Sequence, residues 1–105
     1  MPTYLMISKH SPTECPMHNS KMRKLAEDVS KRSEELNKKF GCKDVGSWND
    51  FLGHTLYVVI EAPSAEALQK TMMDPIMVEW LAHNETEIKM IMTEEEAAKF
   101  TKFAK

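Results

Sequence analysis

The first apolar cluster, Tyr4-Leu5-Met6-Ile7, is short, rich in β-forming side chains and without a helical stripe, which predicts a strand over residues 3–9. A polar stretch containing Pro12 and Pro16 ends it. From Asn19 to Phe40 the pattern changes, with Met22, Leu25, Ala26, Val29, Leu36 and Phe40 at helical spacing among Lys, Glu, Asp and Arg. This predicts a long amphipathic helix, closed by Gly41 where a left-handed cap is favoured. Residues 42–48 and 54–61 read as two strands, joined by the turn Asn49-Asp50-Phe51-Leu52-Gly53 into a hairpin. Ser64 suits the N-cap of a helix through Met73, and Asp74-Pro75 restarts a helix carrying Ile76, Met77, Trp80 and Leu81. Residues 85–92 alternate polar and apolar in their first half and predict a fourth strand. Thr93-x-x-Glu96 is a capping-box pattern, starting a terminal helix with Ala97, Phe100 and Phe103 on its apolar side.

The order β-α-β-β-α-β plus a tail helix predicts one α+β domain over residues 1–105, a ferredoxin-like sandwich with antiparallel sheet order 4-1-3-2 and helices on one face. Alternation assigns Tyr4 and Met6, with His54, Leu56 and Val58, to one face of the sheet, and Leu5 and Ile7, with Tyr57 and Val59, to the other. Neither set is polar. A sheet with helices on one side only and an apolar second face predicts a homodimer.

Composition narrows the partners. The 105 residues carry 14 basic and 16 acidic side chains, a net charge of −2, and are 42% apolar, as a folded domain requires. The only arginines are Arg23 and Arg32, and the lysines are scattered, so no nucleic-acid surface is expected. No run approaches the roughly 18 apolar residues of a membrane span, and the N-terminus shows no secretory pattern, so a cytoplasmic protein without a membrane partner is expected. Two cysteines, Cys15 and Cys42, are too few for a disulfide framework. The nine methionines are expected to fill core and interface gaps. There is no Walker loop, nucleotide or flavin fingerprint, nucleophile elbow or catalytic carboxylate pair.

The strand order places chemistry at one rim. His10 ends the first strand, His54 begins the third, His83, Asn84 and Glu85 lead into the fourth, and the loop with Cys15, Met17 and His18 leaves from the same end. Cys42 starts the second strand at the opposite end and is excluded. His10, Cys15, His18 and His54 would supply four donors of the type that zinc or copper accepts, with Met17 favouring copper. The spacing is no known zinc signature, and strand-end or surface histidines bonded to the backbone are the alternative. If Pro16 opens the long helix, Cys15 caps it, and the helix dipole and a nearby imidazolium lower the pKa of its thiol; a helix starting at Asn19 instead leaves Cys15 in an irregular turn or buried beneath the loop. Trp48 and Tyr57 are candidates to line a pocket for an aromatic ligand, or are core. The run Glu94-Glu95-Glu96 is explained as the first turn of a capped helix.

The plan and length of the chain resemble the dimeric α+β barrel superfamily. More locally, Ser8-Lys9-His10, Cys15-Pro16-Met17, Val45-Gly46-Ser47-Trp48 and the stretch from His54 through Tyr57, Val59 and Glu61-Ala62-Pro63-Ser64 resemble a family of small uncharacterised prokaryotic proteins near that superfamily. The resemblance covers roughly residues 3 to 93. It implies two ferredoxin-like subunits with apposed sheets, and a range of activities: cofactor-free monooxygenases, isomerases, haem-degrading enzymes and sensors. Three functional expectations follow. One is a homodimeric protein that binds copper, zinc or a small ligand through His10, Cys15, His18 and His54. Another, resting on the resemblance, is a cofactor-independent oxygenase or isomerase with His54 or His10 as general base. A third is an interaction module without a small ligand.

Overall fold

The structure, a computed structural model, describes residues 1–101. β1 (Thr3–Lys9), β2 (Lys43–Asp50), β3 (Thr55–Glu61) and β4 (Glu85–Ile91) form one antiparallel sheet in the order β2-β3-β1-β4. Read from the other edge, this is the expected 4-1-3-2 ferredoxin-like arrangement. α1 (Ser20–Phe40) starts where Asn19 Oδ1 accepts the Met22 N–H at 3.0 Å and ends at Gly41, whose φ of 73° lies in the left-handed region. α2 (Ala65–Met72) is capped by Ser64, and α3 (Pro75–Ala82) by Asp74 with Pro75 in its first turn. The expected reciprocal bonds of Thr93 and Glu96 open α4 (Glu94–Thr101). Phe100 on this helix is exposed, and Phe103 lies outside the described residues.

Register settles the two faces. Tyr4 pairs with Ile60, Met6 with Val58 and Ser8 with Leu56, while Leu5 pairs with Val59 and Ile7 with Tyr57. Tyr4, Ile60, Ala62 and Leu68 of α2 form the core beneath the helices, with Cys42 and Met72 packed against it. Each large side chain fully removed from water there contributes roughly 1.5–3 kcal/mol. Ser8 is buried on the same face, and its hydroxyl lies 3.2 Å from that of Thr86 on β4, so the polar pair satisfies itself. α1 packs on α2 and α3. Arg32 reaches from α1 to Asp74 Oδ1 (Nη2 2.8 Å, Nε 3.0 Å), tying the two helices at the point where α3 begins. The guanidinium bonded to Asp74 holds that carboxyl below its ordinary pKa.

Of the methionines expected to fill core and interface gaps, Met22 and Met77 are buried, whereas Met17, Met73, Met90 and Met92 are exposed on the single chain. On the helix-free face, Leu5, Ile7, Tyr57 and Val59 lie together, and Trp48 joins them opposite Tyr57. Gly46, two residues before Trp48 and on the same face, makes room for the indole. A Cβ there would stand 2.9 Å from the Trp48 ring.

Candidate metal centre

At the rim, the β1–β3 ladder continues one step past the Lys9–Thr55 pair, where the His10 N–H donates to the His54 carbonyl at 3.1 Å. The two rings, one just past the end of β1 and the other just before β3, meet edge to face, centroids 5.4 Å apart at 71°. His54 has φ of 50°, the one non-glycine residue with positive φ among the described residues. It closes the turn after Asp50, whose carboxylate accepts the Gly53 N–H at 3.0 Å. A left-handed backbone costs a residue with a Cβ roughly 1–2 kcal/mol. Here the cost falls on one of the two clustered imidazoles.

Cys15 comes from the other side. The chain leaving β1 makes a 3-10 turn over Pro12–Glu14, which the sequence pattern does not show, and Cys15 follows it in extended conformation. The carbonyl of Cys15 accepts the N–H groups of His18 and Asn19 at 3.2 and 3.0 Å. Because Asn19 caps α1, Cys15 is not the N-cap of that helix, and the dipole expectation attached to it does not hold. The loop is fastened through its own carbonyls: Asn19 Nδ2 donates to Thr13, Arg23 Nε to Pro16 and Arg23 Nη2 to Met17, at 3.1, 3.0 and 2.8 Å. Cys15 is thereby buried, 5% exposed.

One ring nitrogen of His10, one of His54 and the Cys15 Sγ lie within 4.8 Å of one another. Bonds of about 2.0–2.3 Å from a shared zinc would draw these atoms to roughly 3.5 Å apart, a side-chain movement of about 1 Å. The donor chemistry fits such an ion. His10 Nε2 and His54 Nδ1 are buried and have no hydrogen-bond partner among the described residues, an arrangement that costs free energy unless something accepts their lone pairs or protons. Burial, then the neighbouring His54, hold the pKa of His10 below the ordinary histidine value, against the pull of Glu14, so its ring favours the neutral form that ligates metals.

The other expected residues stand elsewhere. His18 is exposed, and its Nε2 donates to the Pro12 carbonyl at 2.6 Å, so it braces the loop and does not join the cluster. Met17 is also exposed. Trp48 and Tyr57 face each other on the helix-free face of the sheet and do not line the cleft beside the histidines. Cys42 packs at the core, where burial raises its pKa. In the place of His18, the structure brings Glu14 and His83 to the cluster's edge, joined at 2.9 Å across 69 positions of sequence, and Asn84 beside them. All border an open cleft of about 700 Å³ that His10 and His54 also line. No spacing in the chain signals the Glu14–His83 pair, because it depends on the 3-10 turn meeting the end of α3.

Residues 3–104 match the family described as Domain of unknown function, DUF3303. The chain belongs to that family. Among curated proteins none matches it. Solved structures do, at the level of fold. A proposed antibiotic biosynthesis monooxygenase of Deinococcus radiodurans superposes with a TM-score of 0.58 at 12% identity, covering 89% of this chain and 92% of its own. Protein Atu4242 of Agrobacterium tumefaciens gives 0.59 at 18%, covering 88% and 92%. Rv0793 of Mycobacterium tuberculosis gives 0.58 at 14%, covering 90% and 98%. These likenesses show that the chain has the ferredoxin-like fold that these proteins share.

Proposed function

We propose that this DUF3303 chain is a small homodimeric protein that binds a transition metal, copper or zinc, through His10, Cys15 and His54. The observation that carries the reading is the convergence of three donors, one ring nitrogen each of His10 and His54 and the Cys15 Sγ, within 4.8 Å, in a cluster whose two imidazoles each have a buried nitrogen without a partner among the described residues. An imidazole-thiolate set suits zinc and copper over magnesium or calcium, which prefer oxygen. The two subunits meet through the helix-free face, where Leu5, Ile7, Trp48, Tyr57 and Val59 form an apolar surface. Among the described residues no helix is long and apolar enough to cross a membrane. A reducing cytoplasm, which keeps Cys15 available as a ligand, is the compartment that suits the site.

The test is metal analysis of untagged protein, followed by cobalt(II) and copper(II) titration watched for thiolate charge-transfer absorption. We expect one ion per chain and an absorption band that disappears in Cys15→Ser. Protein that takes up no ion, or a spectrum indifferent to Cys15, overturns the reading.

A second reading is favoured by the position of His10 and His54 on the wall of the cleft. It makes the chain a cofactor-independent oxygenase or isomerase with one of these histidines as base, in keeping with the fold shared with antibiotic biosynthesis monooxygenases. It requires turnover that survives chelation and is lost in His10→Ala.

A further inference from the structure

We propose that the cluster of His10, Cys15 and His54 is a one-electron centre: it holds copper, resting as copper(I), and exchanges single electrons with small carriers that enter the cleft beside the two imidazoles. The inference rests on the metal-binding reading and adds to it the identity of the ion and what the site does. Two imidazoles and one thiolate converge, and among the described residues no fourth histidine, cysteine or carboxylate joins them. Closed zinc sites take four protein donors, and zinc on three takes water as the fourth. Copper is held by two imidazoles and a thiolate in a trigonal plane with at most a weak axial contact, the donor set of centres that carry electrons. This argument does without Met17, which is exposed.

Burial points the same way. Cys15 is 5% exposed and does not line the cleft, and His10 and His54 each have a buried ring nitrogen. With both rings neutral, copper(I) and one thiolate carry no net charge, whereas zinc(II) or copper(II) leaves one positive charge. Withdrawing the site from water penalises the charged state, so burial favours copper(I) and biases the copper couple toward its reduced form. The donors are also fixed from two sides: the bond from the His10 N–H to the His54 carbonyl sets the imidazoles, and Asn19 and Arg23 hold the loop around Cys15. An ion on ligands held in place can change oxidation state without exchanging them. Copper(I) gives one electron to a one-electron acceptor and becomes copper(II), and a one-electron donor returns it; no bond breaks and no proton moves. Cys42, the other thiol of the chain, is packed at the core, so copper(II) finds no second thiol beside Cys15 to join to it as a disulfide. The rings of His10 and His54 ligate the ion and also form part of the cleft wall, which brings a carrier in the cleft within reach of the metal's own ligands.

The experiment loads untagged, metal-free protein with copper(I) under nitrogen, adds one equivalent of ferricyanide, and follows the visible and EPR spectra. We expect a strong thiolate-to-copper(II) absorption that ascorbate bleaches and ferricyanide restores over repeated cycles. The copper should be retained, and both cysteines should be recovered as free thiols in denaturant. Stopped-flow kinetics at low salt then locate the route. Glu85 is exposed on the cleft wall, and Glu85→Lys should speed oxidation by ferricyanide and slow oxidation by the cationic tris(phenanthroline)cobalt(III), each by about 5-fold. Glu66→Lys, the same charge change in the first turn of α2, should do neither. If the first oxidation expels copper, consumes a thiol or gives a tetragonal copper(II) spectrum without the thiolate band, the one-electron reading falls, and the metal site stands on Cys15-dependent uptake of cobalt(II). Equal responses to the two charge changes overturn the cleft as the route. Protein that binds neither copper nor cobalt overturns both readings.

Discussion

His10 donates its backbone N–H to the His54 carbonyl at 3.1 Å, and this one ladder bond past the end of β1 sets two imidazoles edge to face, 5.4 Å apart, although 43 residues lie between them in the chain. The geometry of the cluster is therefore a property of the sheet register on one side and of the fastened loop around Cys15 on the other. Each side can be perturbed separately.

The loop side depends on Arg23, which holds the carbonyls of Pro16 and Met17. Arg23→Ala removes no donor, yet should weaken metal binding by about 10–100-fold, the usual effect of losing a group that orients a ligand. Cys15→Ser should exceed that loss. Competition titration against a chromophoric chelator measures both, and an Arg23→Ala affinity equal to wild type would remove the role assigned to the loop.

The register side carries backbone strain at His54, with its φ of 50°. Metal-free His54→Gly should be more stable than metal-free His54→Ala by about 1 kcal/mol, since glycine has no Cβ to clash in the left-handed region. Urea unfolding of the two variants makes the comparison. Both should lose metal binding, which separates the backbone contribution from that of the ring.

Proton affinity gives a third expectation. His10 has a folded pKa below its ordinary 6.5, through burial and then the neighbouring His54. The unfolded chain therefore takes up this proton first as pH falls. The stability associated with neutral His10 is fully present above about pH 6.5 and is lost as pH drops through the folded value. Urea midpoints of metal-free protein should decline in that acidic window, and His10→Asn should flatten the decline. Glu14→Gln, which removes the opposing carboxylate, should move the His10 titration further down when followed by ring-proton NMR.

The fourth expectation concerns the helix-free face. Ile7→Lys places a charge among Leu5, Tyr57 and Val59, where apposed sheets would bury it unpaired. Sedimentation equilibrium should show the wild-type chain as a dimer and Ile7→Lys at half that mass. A wild-type monomer at micromolar concentration would refute the assembly, and an unchanged variant would move the contact to another surface.

Several parts of the fold were readable directly. The periods of β1, α1 and β3, the cap at Ser64, the restart at Asp74-Pro75, Gly41 and the Thr93–Glu96 box are local signals, and each appears where its chemistry points. The start of α1, by contrast, is open in the sequence between Pro16 and Asn19. Strand ends were less legible. β2 extends to Asp50 and β3 starts at Thr55, because the turn is shorter than its polar residues suggest and His54, though its carbonyl still accepts the ladder bond from His10, has a left-handed backbone that a strand does not adopt. The same locality misled the assignment of His18: close to Cys15 in sequence, it turns outward to the Pro12 carbonyl as the 3-10 turn reverses the chain.

Alternation of side chains and the order of elements are carried by neighbours along the chain, so the sequence alone determined the sheet order, the two faces and the rim on which His10, Cys15 and His54 would come together. Tertiary structure alone decided which polar atoms at that rim are left without partners, that Glu14 meets His83, and that Asn84 looks onto the cleft. Those relations depend on where a loop is fastened and where one helix ends, distances set by packing between segments remote in sequence, on which no periodicity reports.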